Sequence, residues 1–411
     1  MKTETNSGSG LMGWIDARFP ATKMWNDHAG KYYAPKNFNF WYFFGALSLL
    51  VLVNQLLTGI WLAMFYKPSA VDAFGSVEYI MRDVPKGWLL RYLHSTGASF
   101  FFIVVYLHMF RGIIYGSYKK PRELVWLIGM AIYICLMAEA FMGYLLPWGQ
   151  MSFWGAKVIT SLFEAIPGVG PGLVEWMRGD YNVSDATLNR FFSLHVIAVP
   201  MVFLLLVWMH IIALHEVGSN NPDGVEIKAK KDDKGIPLDG IRFHPYYTVK
   251  DTFGAGVFLI IFTAVVFFAP DFGGFFLEAP NFEPANPMKT PEHIAPVWYM
   301  TPYYAILRAI PHKLSGVIAM FAAVLIPCLL PWLDRSVVRS IRYRGWLYKL
   351  MLALFVVSFI SLGYLGLKPP SPTRMIAAQV FSILYFAFFI LMPIYTKLDK
   401  TKPVPERVTA R

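Results

Sequence analysis

Four histidines in two apolar stretches carry the chemistry of this chain: His94 and His108 in one, His195 and His210 in the other. On a helix, 14 residues return to within about 40° of the starting direction, and 15 overshoot by about 60°. Each pair therefore faces one side of its helix, with a rise of roughly 21–22 Å between its members. That rise is most of the depth of a hydrocarbon core about 30 Å thick. Two such helices set face to face offer two facing imidazole pairs, one near each membrane surface. Unpaired imidazoles in lipid are costly, so four at matched intervals point to a metal or a haem. Haem fits better: each facing pair supplies two nitrogens to opposite sides of a flat cofactor, and no carboxylate or thiolate accompanies them. The arrangement suits two stacked bis-histidine haems that move electrons across a bilayer.

Glycines repeat the interval. Gly45 and Gly59 lie 14 apart in the first apolar stretch, as do Gly129 and Gly143 in the third. Small residues at helix contacts would explain single positions; the shared interval suggests clearance for two flat macrocycles at two depths. Arg91 precedes His94 by three residues and Arg111 follows His108 by three, so each marks a membrane-surface end, where a cation suits a haem propionate.

These residues need long apolar helices to position them, and the composition supplies them. Hydrophobic residues make up 56% and charged ones 15%, which excludes an ordinary soluble domain. The fold expected is an all-α polytopic membrane protein. Eight spans are readable near 40–66, 88–115, 124–147, 187–215, 250–269, 313–333, 346–367 and 376–396. The first four form a haem-binding bundle (40–215) and the last four a C-terminal half (250–396). An even count puts both termini on one side. Most of the 37 lysines and arginines fall on the termini and the loops after spans two, four and six, so that side is expected to be cytoplasmic. Residues 1–39 form a cytoplasmic N-terminal segment with no apolar core for a cleavable signal peptide. The segment 216–249 is a cytoplasmic loop whose "KAKKDDKG" run reads as solvated, and 397–411 reads as a flexible cytoplasmic tail. The net charge of +11 belongs to loops on one face, so nucleic acid is not an expected partner. Cys135 and Cys328 both sit in apolar runs. They cannot form a zinc site, an iron–sulfur cluster or a covalent haem attachment. Two opposite-side loops, at 148–186 and 270–312, are too long for simple connections and carry enough aromatic and apolar residues to be ordered.

The segments "GWLLRYLHSTGASFFFIVVYLHMFRG", "GYLLPWGQMSFWGA", "FFSLHVIAVPMVFLLLVWMHIIALHEVGSNNPDG", "FHPYYTVKD" and "WYMTPYYAILRAIP" resemble the cytochrome b subunit of quinol–cytochrome c oxidoreductases, the cytochrome bc complexes. The likeness runs through nearly the whole chain and is closest to the unsplit bacterial form. It implies two non-covalent haems b, one held by His94 and His195 near the periplasm, the other by His108 and His210 near the cytoplasm. The 15-residue interval on the fourth span differs from the 14 usual in mitochondrial relatives. The resemblance also implies a quinone-reduction pocket at His215, Ser219, Asn220, Lys250 and Asp251. A quinol-oxidation pocket is implied at Tyr144, Gly155, Ile159, Pro296, Trp298, Tyr299 and Tyr304. It further implies ubiquinone or ubiquinol as substrate, a Rieske iron–sulfur protein and a c-type cytochrome as partners, membrane lipids around a dimeric complex, and the bacterial inner membrane as location. Lys313 is expected at the rim where the iron–sulfur domain docks.

One departure matters. The family's common Pro-Glu-Trp-Tyr is Pro296-Val297-Trp298-Tyr299 here, and valine accepts no proton. Glu139, an intramembrane carboxylate in "LMAEAFMGY", is the expected substitute as proton acceptor, together with Tyr144; the alternatives are a water-mediated exit, or His293 or Glu292 serving instead. The competing functions are a di-haem membrane anchor of a quinone-linked dehydrogenase, and a proton-coupled transporter with the histidines as relay. The transporter accounts for the hydropathy but not for the shared histidine and glycine intervals.

Overall fold

The computed structural model describes residues 10–26 and 30–409; the start of the N-terminal segment and the last two residues of the tail lie outside the described residues. Among the described residues, eight helices are long and apolar enough to cross a membrane: Phe40–Ala63, Gly87–Tyr115, Glu123–Leu145, Asp185–Val217, Tyr246–Phe268, Lys313–Leu333, Trp346–Leu367 and Pro372–Ile390. They are called spans one to eight. Apart from one short strand pair the described architecture is helical, an all-α polytopic membrane protein. Side chains such as Ile60, Phe253, Ile260, Ile360 and Ile383 stay exposed on the outer faces, where lipid replaces water as the solvent.

Departures from straight helix have local causes. Span six loses its α-helical ladder at Ile326–Leu329, where Pro327 cannot donate, and resumes as Leu330–Leu333. Span eight ends at Ile390 and a separate turn, Met392–Leu398, follows with Pro393 in its first turn. The N-terminal segment and the loop after span four, expected as separate stretches, pair as an antiparallel ribbon, Tyr33–Pro35 with Gly240–Arg242. The "KAKKDDKG" run is exposed.

The C-terminal tail corrects the expectation of flexibility. Asp399 accepts from the Gly345 N–H at 2.7 Å, and Lys402 N–H donates to Tyr343 O at 2.7 Å. Arg407 pairs with Asp239 at 2.7 Å, and Thr409 donates to Asp223 through both its N–H and its hydroxyl. Lys36 from the N-terminal segment reaches the same Asp239 at 2.9 Å, so both ends of the described chain meet on one side. That side is called the terminus side below. Polarity and proline content suggested a free tail. What they did not reveal is that Asp223 and Asp239 are buried acceptors which need partners from elsewhere in the chain.

The two halves are joined at mid-depth by a tyrosine ladder. Tyr106 of span two donates to the Tyr299 carbonyl at 2.6 Å and lies 3.1 Å from Tyr133 of span three, which lies 2.8 Å from Tyr303. On the terminus side the joint is ionic. Asp334 accepts from Tyr118 at 2.7 Å and pairs with Lys119 and with Arg344, both carboxylate and guanidinium being buried. Burial alone would raise the Asp334 carboxyl, but Arg344 and Lys119 more than offset it and hold it below the usual range.

Candidate functional site

Spans two and four bring the four histidines together as two facing pairs. The His94 and His195 ring centres lie 6.2 Å apart at an interplanar angle of 89°, and those of His108 and His210 lie 6.4 Å apart at 68°. Two imidazoles sharing one metal at ~2 Å per bond put their ring centres roughly 6 Å apart. Both pairs therefore have the separation of axial ligands to a single iron.

The odd interval on span four has a structural answer. Leu194–Ala198 is a π-helical turn, and His195 sits in it. Such a turn takes up one extra residue and rotates the helix back, so His195 and His210 share a face although 15 residues separate them. Periodicity alone gave a 60° overshoot, which the bulge removes.

Each glycine of the two 14-residue pairs faces one imidazole. A Cβ on Gly59 would lie 3.1 Å from His94 Cε1, on Gly45 3.3 Å from His108 Cε1, on Gly129 3.2 Å from His210 Cε1, and on Gly143 only 2.4 Å from His195 Cε1. The clearance expected for a macrocycle is, in the described contacts, clearance for the four imidazole rings.

The outer nitrogens differ between the pairs. His94 Nδ1 lies 2.9 Å from Thr58 Oγ1, whose own proton goes to Asn54 O. His195 Nδ1 is 2.9 Å from the Glu139 carbonyl and 3.0 Å from Glu139 Oε1. These bonds occupy Nδ1 and leave Nε2 of each ring for the facing partner. On the terminus side, Arg111 stands 3.4 Å from His108 Nδ1 and over the Tyr42 ring, with its Nε buried and unpartnered. A buried guanidinium with an unused donor fits an anionic group such as a haem propionate. The residues present thus fit two bis-histidine haems. Arg91, three residues before His94, occupies the corresponding end of span two.

Two large apolar cavities flank the pairs. The first, about 880 Å³, opens on the side away from the termini. Gly155, Ile159, Pro296 and Tyr304 line it, as expected, together with Tyr303 and Phe141. Tyr144, Trp298 and Tyr299 do not line it. Trp298 Nε1 donates to Ser99 Oγ at 3.0 Å, and the Tyr299 ring stacks on Phe102 with centres 3.7 Å apart, so both brace the wall. Tyr144 stands behind Gly155, where an added Cβ would meet its ring at 3.6 Å.

Glu139, expected as the proton acceptor, does not line this cavity either. The carboxylate turns toward His195 instead, one helical turn and more from Tyr144 on span three. Of the named alternatives, Glu292 is exposed, and His293 Nε2 lies 3.1 Å from the Leu367 carbonyl. The carboxylate at Tyr144 is Glu278, which the sequence reading passed over. Its Oε2 accepts from Tyr144 Oη and from Asn281 Nδ2, both at 3.1 Å, and Asn281 Oδ1 in turn accepts from the Ser152 N–H. Burial pushes the Glu278 carboxyl up to about 7, against the opposing effect of its bonds from Tyr144 and Asn281. No sequence signal singled it out: Glu278 is one of four acids in the loop at 270–312, and it lies far from Val297 in sequence.

The second cavity, about 1030 Å³, lies on the terminus side and contains His108, His210, Gly45 and Gly129 at its inner end. His215, Ser219, Asn220, Lys250 and Asp251 all line it. Ser219 Oγ is 3.2 Å from Tyr32 Oη, the Tyr32 ring packs on His215 at 4.6 Å, and Lys250 donates to Tyr246 at 2.9 Å. Asn220 donates to Tyr115 O and leaves its buried Oδ1 unpartnered. Tyr32 and Phe243, which flank the ribbon, were not foreseen.

Comparison with known proteins identifies the family. Residues 29–218 match the family model "Cytochrome b/b6/petB", and residues 284–386 match "Cytochrome b(C-terminal)/b6/petD". The chain is similar to the cytochrome b of Allochromatium vinosum, 62% identical over 97% of this chain and 98% of that one. It is 49% identical to the cytochrome b of Rhodospirillum rubrum over 100% of this chain and 98% of that one. Among solved structures it matches a chain of a "Hyperthermophilic respiratory Complex III", with a TM-score of 0.86 and 42% identity over 94% of this chain and 99% of that one. The fold and site define a haem-binding membrane protein of the electron-transport class. The chain belongs to the cytochrome b family, as the cytochrome b of a bc complex.

Proposed function

We propose that this chain, as the catalytic subunit of a quinol:cytochrome c oxidoreductase, oxidises quinol at the cavity away from the termini and reduces quinone at the terminus-side cavity. One observation carries the reading: two facing imidazole pairs, each at the separation of axial ligands, lie in one four-span bundle, with His108 and His210 at the inner end of the terminus-side cavity and the other cavity opening on the opposite side, between that bundle and the C-terminal half. Haem b at each pair, held by His94 with His195 and by His108 with His210, supplies one-electron carriage between the cavities when bound.

The chain's own residues do the rest. Gly155, Ile159, Pro296 and Tyr304 offer a flat apolar slot for a quinol ring. Tyr144 and Glu278 stand behind that slot without lining it, and the proton that Val297 cannot take passes to Glu278, poised near neutrality, by way of the Tyr144 hydroxyl bonded to it. At the other end His215, Lys250 and Asp251 sit at the membrane–water boundary and supply protons, while Ser219 and Asn220 orient the ring through hydroxyl and amide groups. Arg111 and Arg91 neutralise propionates at the two surfaces. Ubiquinone is the substrate class that the family implies. Quinol gives up two electrons, and bifurcation requires a second acceptor. This chain has two cysteines, both free, so a Rieske iron–sulfur protein and a c-type cytochrome come from separate subunits of a homodimeric complex in the bacterial inner membrane. Lys313, 3.5 Å from Glu164, lies where spans and loop meet and suits the rim of the iron–sulfur docking surface. The basic loops put both termini in the cytoplasm.

A reduced-minus-oxidised spectrum of the purified complex tests the assignment. The expected result is a b-type band from two haems that shifts with inhibitors of bc-type quinone pockets. A di-haem dehydrogenase anchor would give the band without the shift, and a transporter would give no band.

A further inference from the structure

The four imidazoles are alike in spacing and in the glycines that clear them, but only one carries a carboxylate. His195 Nδ1 has two acceptors on one residue, the Glu139 carbonyl at 2.9 Å and Glu139 Oε1 at 3.0 Å. Its partner His94 has a neutral hydroxyl at the same atom, from Thr58 at 2.9 Å. His108 instead has a guanidinium nearby, and His210 Nδ1 makes no hydrogen bond within ordinary limits among the described residues. Glu139 Oε2 is buried and has no partner, so nothing within the described residues competes with His195 for the group. The placement is enforced from both sides. The π-turn at Leu194–Ala198 aims the ring at span three, and Gly143, whose Cβ would collide with the ring at 2.4 Å, admits it.

We propose that Glu139 is a positioning and potential-setting residue for the haem on the side away from the termini, acting through the Nδ1–H of His195. A carboxylate accepting from the outer nitrogen of a metal-bound imidazole fixes its tautomer and orientation and makes the inner nitrogen a stronger donor. Stronger donation and a nearby negative charge both favour ferric over ferrous iron, which lowers the potential of that haem alone. Glu139 touches neither cavity, so it does not act on quinol directly. The inference rests on the haem assignment above.

Its test is a potentiometric titration of the purified complex, read in the b-band and by low-temperature EPR, comparing the native chain with Glu139→Gln and Glu139→Ser. Glutamine keeps the shape and removes the charge; serine leaves the backbone acceptor and a hydroxyl like that of Thr58. The expected result in both is an upward shift of one haem by about tenfold in its ferric/ferrous ratio, ~59 mV for a one-electron couple, with altered EPR of that haem and the other haem unmoved. Unchanged potentials in both variants would overturn the proposal, as would slowed quinol oxidation with unchanged potentials. Loss of that haem from both variants would also overturn it, leaving Glu139 a structural anchor only. If the native complex showed fewer than two b haems, the haem assignment itself would be what failed.

Discussion

The two ends of the haem bundle share a scaffold and differ in charge. At the end away from the termini, the imidazole pair is backed by a hydroxyl from Thr58 and a carboxylate from Glu139. At the terminus end, the pair is accompanied by the buried guanidinium of Arg111. The glycines, the intervals and the ring separations are nearly the same at both. On the proposed reading a repeated frame would set where the two haems sit, and a few residues at Nδ1 distance would set how readily each holds an electron. A negative group at one end and a positive group at the other favour electron flow toward the termini, the direction the proposed reaction needs.

The largest expected break in this symmetry comes from the tightest glycine. Gly143→Val places side-chain atoms where the His195 ring stands, and is expected to remove one haem of two. Gly129→Ala meets its ring at 3.2 Å and is expected to keep both; the haem-to-protein ratio of the purified complex decides. Equal losses in the two variants would count against the difference between the ends.

Glu278→Gln is expected to slow quinol oxidation by about 10²- to 10⁴-fold, the usual contribution of a positioned base, with both haem spectra intact. The acceptor must be deprotonated, and burial holds its carboxyl at about 7. The native rate should therefore rise as pH passes upward through about 7, and the variant should lose that limb. Stopped-flow haem reduction across pH measures both.

Arg111→Gln removes the cation at the terminus end, which stands 3.4 Å from His108 Nδ1, and a nearby unit charge in a medium of effective dielectric ~20 is worth on the order of a few kcal/mol. The terminus-side haem is expected to fall in potential by that amount or less, leaving the other unmoved, in a redox titration. The smallest effect is expected at the tail. Arg407→Ala should leave overall stability nearly unchanged, since the guanidinium is exposed and its pair with Asp239 is screened by solvent. Burial opposes ionisation of Asp239, but Arg407 and Lys36 hold its carboxyl at about 2. The clamp's contribution is thus full above about pH 4 and lost as pH falls toward 2. Limited proteolysis of the tail across that range checks it.

Much of this was legible in the residues. Long apolar runs gave eight spans at nearly the observed places, because in lipid a helix is the form that satisfies its own backbone. The histidine and glycine intervals gave the pairs, because 14 residues is close to four turns. What stayed hidden depends on single atoms across long sequence separations. The π-turn at His195 breaks the periodicity from which it would have to be inferred. Glu139 was recognised as an intramembrane acid, but its direction is set by the ring it meets 56 positions away. Glu278 meets Tyr144 only because the loop folds back on the start of the Gln150–Leu162 helix through Asn281 and Ser152. The tail is ordered by acids in two other segments, which its own composition cannot announce.

The most direct measurement is haem stoichiometry, by pyridine haemochrome, of the purified complex carrying His195→Ala or His210→Ala. The account predicts two b haems per native chain and one in each variant, with the surviving haem differing in potential between the two. Two haems retained in either variant, or one in the native protein, would contradict it.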